Sequence, residues 1–216
     1  MNFNMSKWSE IYEKQMKRFA SIDAFIEHKI LYKKRLIDEI IGNAPQQGFI
    51  AEIGCGLGIL CSFLSKQNFN VVGIDSDREM IRLAKKLNRT IGGNATFVMS
   101  EMNNLSQVNL KKIDVIFSNG VMEHYNDKEI VNSLYYQASV AKNVIFSVPS
   151  DRYSEKNALF GNERFMGVKK WKALIRESGL MLNKTFGFDE DGRGYEDLNG
   201  LDAPQFLGFV VRKKLA

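Results

Sequence analysis

The stretch Glu52-Ile53-Gly54-Cys55-Gly56-Leu57-Gly58 places three alternate glycines behind a short apolar run and ahead of Leu60, Phe63 and Leu64 at helical spacing. Glycine lets a backbone turn sharply and approach a ligand closely, and a helix starting just beyond offers free N–H groups. The chemistry this suits is binding of a nucleotide-like ligand. Glycine spacing separates the candidates. A dinucleotide fingerprint needs G-x-G-x-x-G, whereas here Gly58 comes one position early and Ile59 holds the sixth place, which disfavours a nicotinamide oxidoreductase. Glu52 sets a carboxylate ahead of the loop, where it would repel a pyrophosphate and suits a cation. A positively charged nucleoside is therefore favoured. Asp75 follows Gly54 by 21 positions, close to the roughly 20-residue offset at which an acidic side chain meets ribose hydroxyls. One carboxylate can accept from both hydroxyls. Its competing role, capping the next helix, is open to Ser76 or Asp77 as well.

These residues need a frame. Phe49–Ile53 reads as a strand entering the glycine turn, Asn70–Asp75 as a second strand, and Asp77–Leu87 as a helix with Met80, Ile81, Ala84 and Leu87 on one face. Further strands are expected at Ala95–Met99, Ile113–Ser118 and Asn143–Val148, with a helix from Asp127 to Val140 between the last two. Alternation of this kind implies a parallel sheet covered on both faces. Beyond it, Gly167–Ser178 reads as a helix, Leu180–Phe188 and Gln205–Lys213 as strands, and Asp189–Pro204 as loop. Two strands joined without a helix form an antiparallel pair, so the sheet should finish with a reversed strand. Ahead of the core, Met5–Ile41 carries apolar residues at helical spacing and reads as two or three amphipathic helices. The expected fold is α/β, a Rossmann-like, seven-stranded, mostly parallel sheet with one antiparallel strand near the C-terminus. Helices cover both of its faces. Residues 1–216 read as a single domain: a helical cap over 1–45, a cofactor-binding core over 49–150, and a lid loop, helix and antiparallel strands over 151–216.

Composition narrows the class. The 216 residues are 44% hydrophobic and 25% charged, enough for a sizeable core and unlike a disordered or fibrous chain. No apolar run reaches the roughly 18 residues of a membrane span, and no secretory signal is visible, so a cytoplasmic protein is expected. Cys55 and Cys61 lie too close in sequence to staple distant parts of a fold, and neither a disulfide nor a metal site is expected. The net charge of +5 is mild. Basic pairs such as Lys33-Lys34, Lys85-Lys86, Lys111-Lys112 and Lys169-Lys170 are scattered, which suits solvated helix faces better than a nucleic-acid surface.

With the glycine loop, Asp75 and the strand pattern in place, the chain resembles a class I S-adenosylmethionine-dependent methyltransferase of the small stand-alone kind. The resemblance is specific over Phe49–Val148 and looser to Val211. It implies that Glu52, Gly54, Cys55, Gly56 and Gly58 hold the methionine part of S-adenosylmethionine, and that Asp75, with Ser76 beside it, holds the ribose. In Ser100-Glu101-Met102-Asn103-Asn104-Leu105, Glu101 aligns with the family's adenine-contacting Asp and Met102 with the backbone donor next to it. The stretch from Asp114 to His124 resembles the family's fourth strand and the turn near the reacting methyl, which places Ser118 and Asn119 at the cofactor. Asn119-Gly120-Val121 departs from the polar-Pro-Pro-aromatic signature of base and glutamine N-methyltransferases, and no cysteine follows strand four to serve the covalent route to pyrimidine carbon-5. An oxygen, nitrogen or activated carbon of another acceptor remains, with S-adenosylhomocysteine as co-product.

A general base is needed only where the nucleophile keeps its proton. His124 is the candidate of its type near the site, against the alternative that it shapes the turn. Acceptor selection falls to segments over the strand ends: Tyr12 from the N-terminal helices and Tyr153 and Arg164 from the loop after strand five. Asp189, Glu190, Asp191, Glu196, Asp197 and Asp202 could receive an amine, against the blander reading of a solvated loop. The reading is a methyltransferase with a small-molecule acceptor and no membrane partner, as a monomer or homodimer. The alternatives are an RNA or protein methyltransferase and a non-catalytic cofactor-binding module.

Overall fold

The computed structural model describes residues 6–102, 104–105, 113–153, 158–196, 198 and 204–214. The expectations for Asn103, Lys111, Lys112, Asp197 and Asp202 lie outside them.

Apolar runs make the centre of the sheet. β1 (Phe49–Ile53), β4 (Ile113–Asn119) and β5 (Ala141–Pro149) are buried along most of their length, as strands covered on both faces must be. β2 (Asn70–Asp75) and β3 (Thr96–Met99) extend the sheet on one side; β6 (Met181–Phe188), β7 (Gly194–Tyr195) and β8 (Phe206–Arg212) extend it on the other. The order is β3-β2-β1-β4-β5-β8-β6-β7. β1 to β5 are parallel, while β8 runs antiparallel to β5 and to β6. The expected reversed strand is therefore present. An eighth strand was not expected: Gly194–Tyr195 pairs with Gly187 and Phe188 inside the segment read as loop. Two residues are too few for any hydrophobic period to show.

Chain order reverses between β1 and β4, whose ends lie side by side with Ile53 opposite Ser118. Ligands of open α/β sheets bind in the crevice at such a switch point. α4 (Ile59–Lys66) and α5 (Arg78–Thr90) follow β1 and β2, and α6 (Asp127–Val140) and α7 (Val168–Glu177) flank the other half. α6 starts where expected because Asn126 and Glu129 form a reciprocal capping box.

The first 45 residues do not act as one cap. α1 (Ser6–Met16) and α2 (Ile22–Tyr32) lie over the strand ends, but Leu36, Ile37 and Ile40 of α3 (Lys34–Asn43) are buried against Ile50, Val115, Phe117 and Phe186 of the sheet. α3 is a core helix. Its Glu39 is held by Arg35 at 2.5 Å and Lys184 of β6 at 2.7 Å. Amphipathic spacing shows that a helix buries one face and says nothing of whether a sheet or a ligand cleft receives it.

Candidate active site

The turn from β1 into α4 is built by Gly54, Gly56 and Gly58, at φ of +66°, +52° and +67°. L side chains rarely adopt that region. A Cβ on Gly56 would lie 2.5 Å from the Tyr12 hydroxyl, and one on Gly54 would run into Val121. The loop is thus both left-handed and closely covered, by α1 on one side and the turn after β4 on the other. Gly58 N–H donates to the Cys55 carbonyl at 2.8 Å and closes the turn.

Asp75 ties this loop to the next helix. Its Oδ2 accepts from Gly56 N–H at 2.8 Å and its Oδ1 from Asp77 N–H at 2.9 Å. Asp77, not Asp75, caps α5 by accepting from Glu79 and Met80 N–H, so Asp75 is not needed as a cap. Burial raises the Asp75 carboxyl pKa, and the two backbone donors oppose that shift. Each oxygen keeps a lone pair for a further donor. Ser76, half-buried, follows at the strand end.

Beneath the loop, Glu52 is buried and accepts from the Cys61 thiol at 2.9 Å. Burial pushes its carboxyl up to about 7, against the opposing effect of the thiol and of Lys33. Cys55 and Cys61 are free cysteines whose thiols burial also pushes up, so both stay protonated. Beyond β3, Glu101 is exposed at a turn, with Asn104 N–H donating to its carbonyl at 3.0 Å. Met102 packs its side chain into the core beside Ile53, Ile74 and Leu105.

At the end of β4, Asn119 Oδ1 accepts from Ser147 at 2.9 Å, and Tyr32 stands near its side chain. The Ser118 hydroxyl is buried without a partner among the described residues. His124 closes the following 3-10 turn. Its Nδ1 lies 2.7 Å from Asn162 Oδ1, and its ring meets Trp8 and Phe160 edge-on at 5.7 and 6.0 Å. An amide oxygen there takes a proton on Nδ1 and leaves Nε2 as the basic nitrogen. Burial lowers its pKa below the usual 6.5, against the raising effect of Asn162 and Glu163, so His124 is neutral at pH 7.

The expected acceptor residues divide. Tyr12 lies on Gly56, and Asp75 and Glu52 join burial in raising its pKa. Tyr153 donates to Glu190 at 3.1 Å and packs on Phe206 at 5.2 Å. Arg164 is held elsewhere: its guanidinium binds the Tyr125 carbonyl at 2.6 Å and Asp127 at 2.5 Å, fastening the loop before α7. The acidic loop is largely self-satisfied, with Asp189 accepting from Tyr195 and Gln205, Asp191 from Arg193, and Glu196 paired with Arg35. Among the described residues no cluster has a metal site's donor set, and no helix is long and apolar enough to cross a membrane.

Three residues escaped the sequence reading. Lys29, Tyr32 and Lys33, at the end of α2, are half-buried on the same side as Asn119 and Glu52. Lys33 had been counted among solvated basic pairs. The four-residue spacing of Phe25, Lys29 and Lys33, with Tyr32 beside the last, was its one available signal.

Sheet order, glycine turn and acidic strand end define a Rossmann-like α/β architecture. A methyltransferase-domain family model matches residues 50–143. A ubiquinone biosynthesis O-methyltransferase of Aliivibrio fischeri is 27% identical over 145 residues, covering 63% of this chain and 62% of that one. The chain thus aligns to less than two thirds of that relative's length. A TehB-like S-adenosylmethionine-dependent methyltransferase of Corynebacterium glutamicum superposes with a TM-score of 0.67 at 20% identity, covering 97% of this chain and 98% of that one. Magnesium protoporphyrin IX methyltransferase of Synechocystis, with bound S-adenosylhomocysteine, gives 0.68 at 14% identity over 97% and 94%. Residues 50–143 thus match a methyltransferase domain, and the solved structures share the fold around it.

Proposed function

We propose that the chain transfers a methyl group from S-adenosylmethionine to a small-molecule acceptor, with oxygen as the preferred acceptor atom. The observation that carries this reading is the glycine turn locked to Asp75 at the β1/β4 switch point, a cradle that a Cβ would fill. The similarity to an O-methyltransferase supports oxygen over nitrogen or carbon. When bound, the cofactor would supply an activated sulfonium methyl open to in-line attack by a nucleophile, with S-adenosylhomocysteine leaving as the sulfur–methyl bond breaks.

The chain's residues then bind, orient and exclude water. Glu52 and the backbone of Gly54, Cys55, Gly56 and Gly58 hold the methionine end. Asp75, with Ser76 beside it, receives the ribose hydroxyls. Glu101 and the Met102 N–H take the adenine, the Met102 side chain being committed to the core. Ser118 and Asn119 floor the methyl site. Tyr12 covers the loop and Tyr153 walls the acceptor side, while Arg164 acts through the loop it fastens. His124 accepts a proton on Nε2 where the acceptor still carries one.

Calorimetry with S-adenosylmethionine, S-adenosylhomocysteine and NADH tests the reading directly. Micromolar binding of the first two without the third is expected; binding of none would favour a non-catalytic module. Asp75→Ala should weaken S-adenosylhomocysteine binding by about 1–3 kcal/mol, the scale of lost hydrogen bonds to a charged group. An unchanged affinity would remove Asp75 from the ribose site.

A further inference from the structure

Lys29 and Lys33 stand one helical turn apart, and both ammonium groups lie over the same ring. Lys29 Nζ is 5.7 Å and Lys33 Nζ 5.4 Å from the Tyr32 centroid. Cations favour such a face, and the one ring gathers both charges. Among the described residues neither lysine has a carboxylate within ion-pair distance. Lys29 donates to the neutral Gln15 Oε1 at 3.0 Å, and no hydrogen-bond acceptor is found for Lys33. The nearby acids are engaged elsewhere, Glu52 with Cys61 and Glu190 with Tyr153. A half-buried ammonium without an anion is costly, and two side by side more so.

Their place matters as much as their charge. Tyr32 stands near the Asn119 amide at the end of β4. It also belongs to an aromatic wall, 5.8 Å from Phe206 and 6.1 Å from Phe188, with Tyr153 5.2 Å from Phe206. A flat ring packed beside Tyr32 would bring an anionic substituent within reach of the two ammonium groups.

We propose that Lys29 and Lys33 form an anion-reading subsite, and that the acceptor is a small aromatic molecule bearing a carboxylate or phosphate group. This deepens the methyltransferase reading and rests on it for the word acceptor. Burial, then the neighbouring Lys29, lowers the Lys33 ammonium to about 7, and burial lowers that of Lys29 to about 8. Glu52 and Glu190 oppose those shifts without abolishing them. An arriving anion would restore both charges, so binding near pH 7.5 should take up protons.

The test is calorimetry of benzoate, phenyl phosphate and neutral benzamide on protein saturated with S-adenosylhomocysteine, in buffers of different ionisation enthalpy. Benzoate or phenyl phosphate is expected to bind with proton uptake, their ranking telling carboxylate from phosphate. Benzamide should bind at least about tenfold more weakly, as should benzoate to Lys33→Gln or Lys29→Gln, on the scale of a lost charged hydrogen bond. The affinity for S-adenosylhomocysteine should stay unchanged in both variants. Failure of both anions to bind, equal binding of benzamide, or affinity of the better anion indifferent to both substitutions would overturn the proposal. So would a Lys33→Gln variant that loses S-adenosylhomocysteine and keeps benzoate, which would give that ammonium to the cofactor. Loss of S-adenosylhomocysteine binding by the unmodified protein would instead sink the methyltransferase reading, and the same titrations on the free protein would still decide the anion subsite.

Discussion

His124→Ala is expected to lower kcat by about 10²-fold or more while leaving S-adenosylhomocysteine affinity within error, if the acceptor arrives protonated. The geometry behind this is the Asn162 contact on Nδ1, which leaves Nε2 basic, and the burial that keeps the ring neutral at pH 7. The sign of the pH dependence follows. The neutral ring is the working form, so activity is full above the lowered pKa and falls as pH drops through it. The acid limb of kcat should therefore lie below pH 6.5, the ordinary histidine value, and vanish in the variant. Trp8 and Phe160 pack on the same ring, so a purely structural role makes a different forecast. His124→Phe would then keep the edge-on packing and full turnover, and the acid limb would persist. A full-rate His124→Phe enzyme returns His124 to shaping the turn.

The second large effect concerns stability. Trp171 of α7 is fully buried and packs 5.6 Å from Phe146 of β5 and 6.3 Å from Phe209 of β8. Trp171→Ala should cost about 3–5 kcal/mol through lost burial and a residual cavity. For a chain of this size that is roughly 6–20 °C in melting temperature. The indole N–H finds no acceptor among the described residues, so the side chain contributes through its rings alone. Trp171→Phe should consequently cost much less than Trp171→Ala, because it keeps a ring against Phe146 and removes the unpaired donor. Equal melting temperatures for the two variants would contradict that account. The residue is far in role from the cofactor cradle, and the surviving fold should bind S-adenosylhomocysteine normally below its melting point.

Much of the architecture was legible because its causes are local. β2 occupies Asn70–Asp75 and α6 Asp127–Val140, as read, since a buried strand needs a continuous apolar run and a capping box marks a helix start within four residues. The glycine loop and Asp75 were legible for the same reason. Left-handed turns call for glycine, and the offset to Asp75 is the length of one turn, helix and strand. Other features depended on residues far apart in sequence. That α3 belongs to the sheet layer follows from Leu36 and Ile40 meeting Phe117 and Phe186. The diversion of Arg164 to Asp127 and the Tyr125 carbonyl required the loop before α7 to fold back over the turn after β4. A basic pair in a helix looks the same in sequence whether it faces water or a cleft, because charge alone carries no direction. Local backbone preference and hydrophobic period were thus determined by the sequence itself, and so was the place of the glycine turn. Which lysines lose their water, which carboxylates stay buried and which aromatics pack together were decided by tertiary packing, since desolvation is a property of the neighbours a side chain acquires on folding.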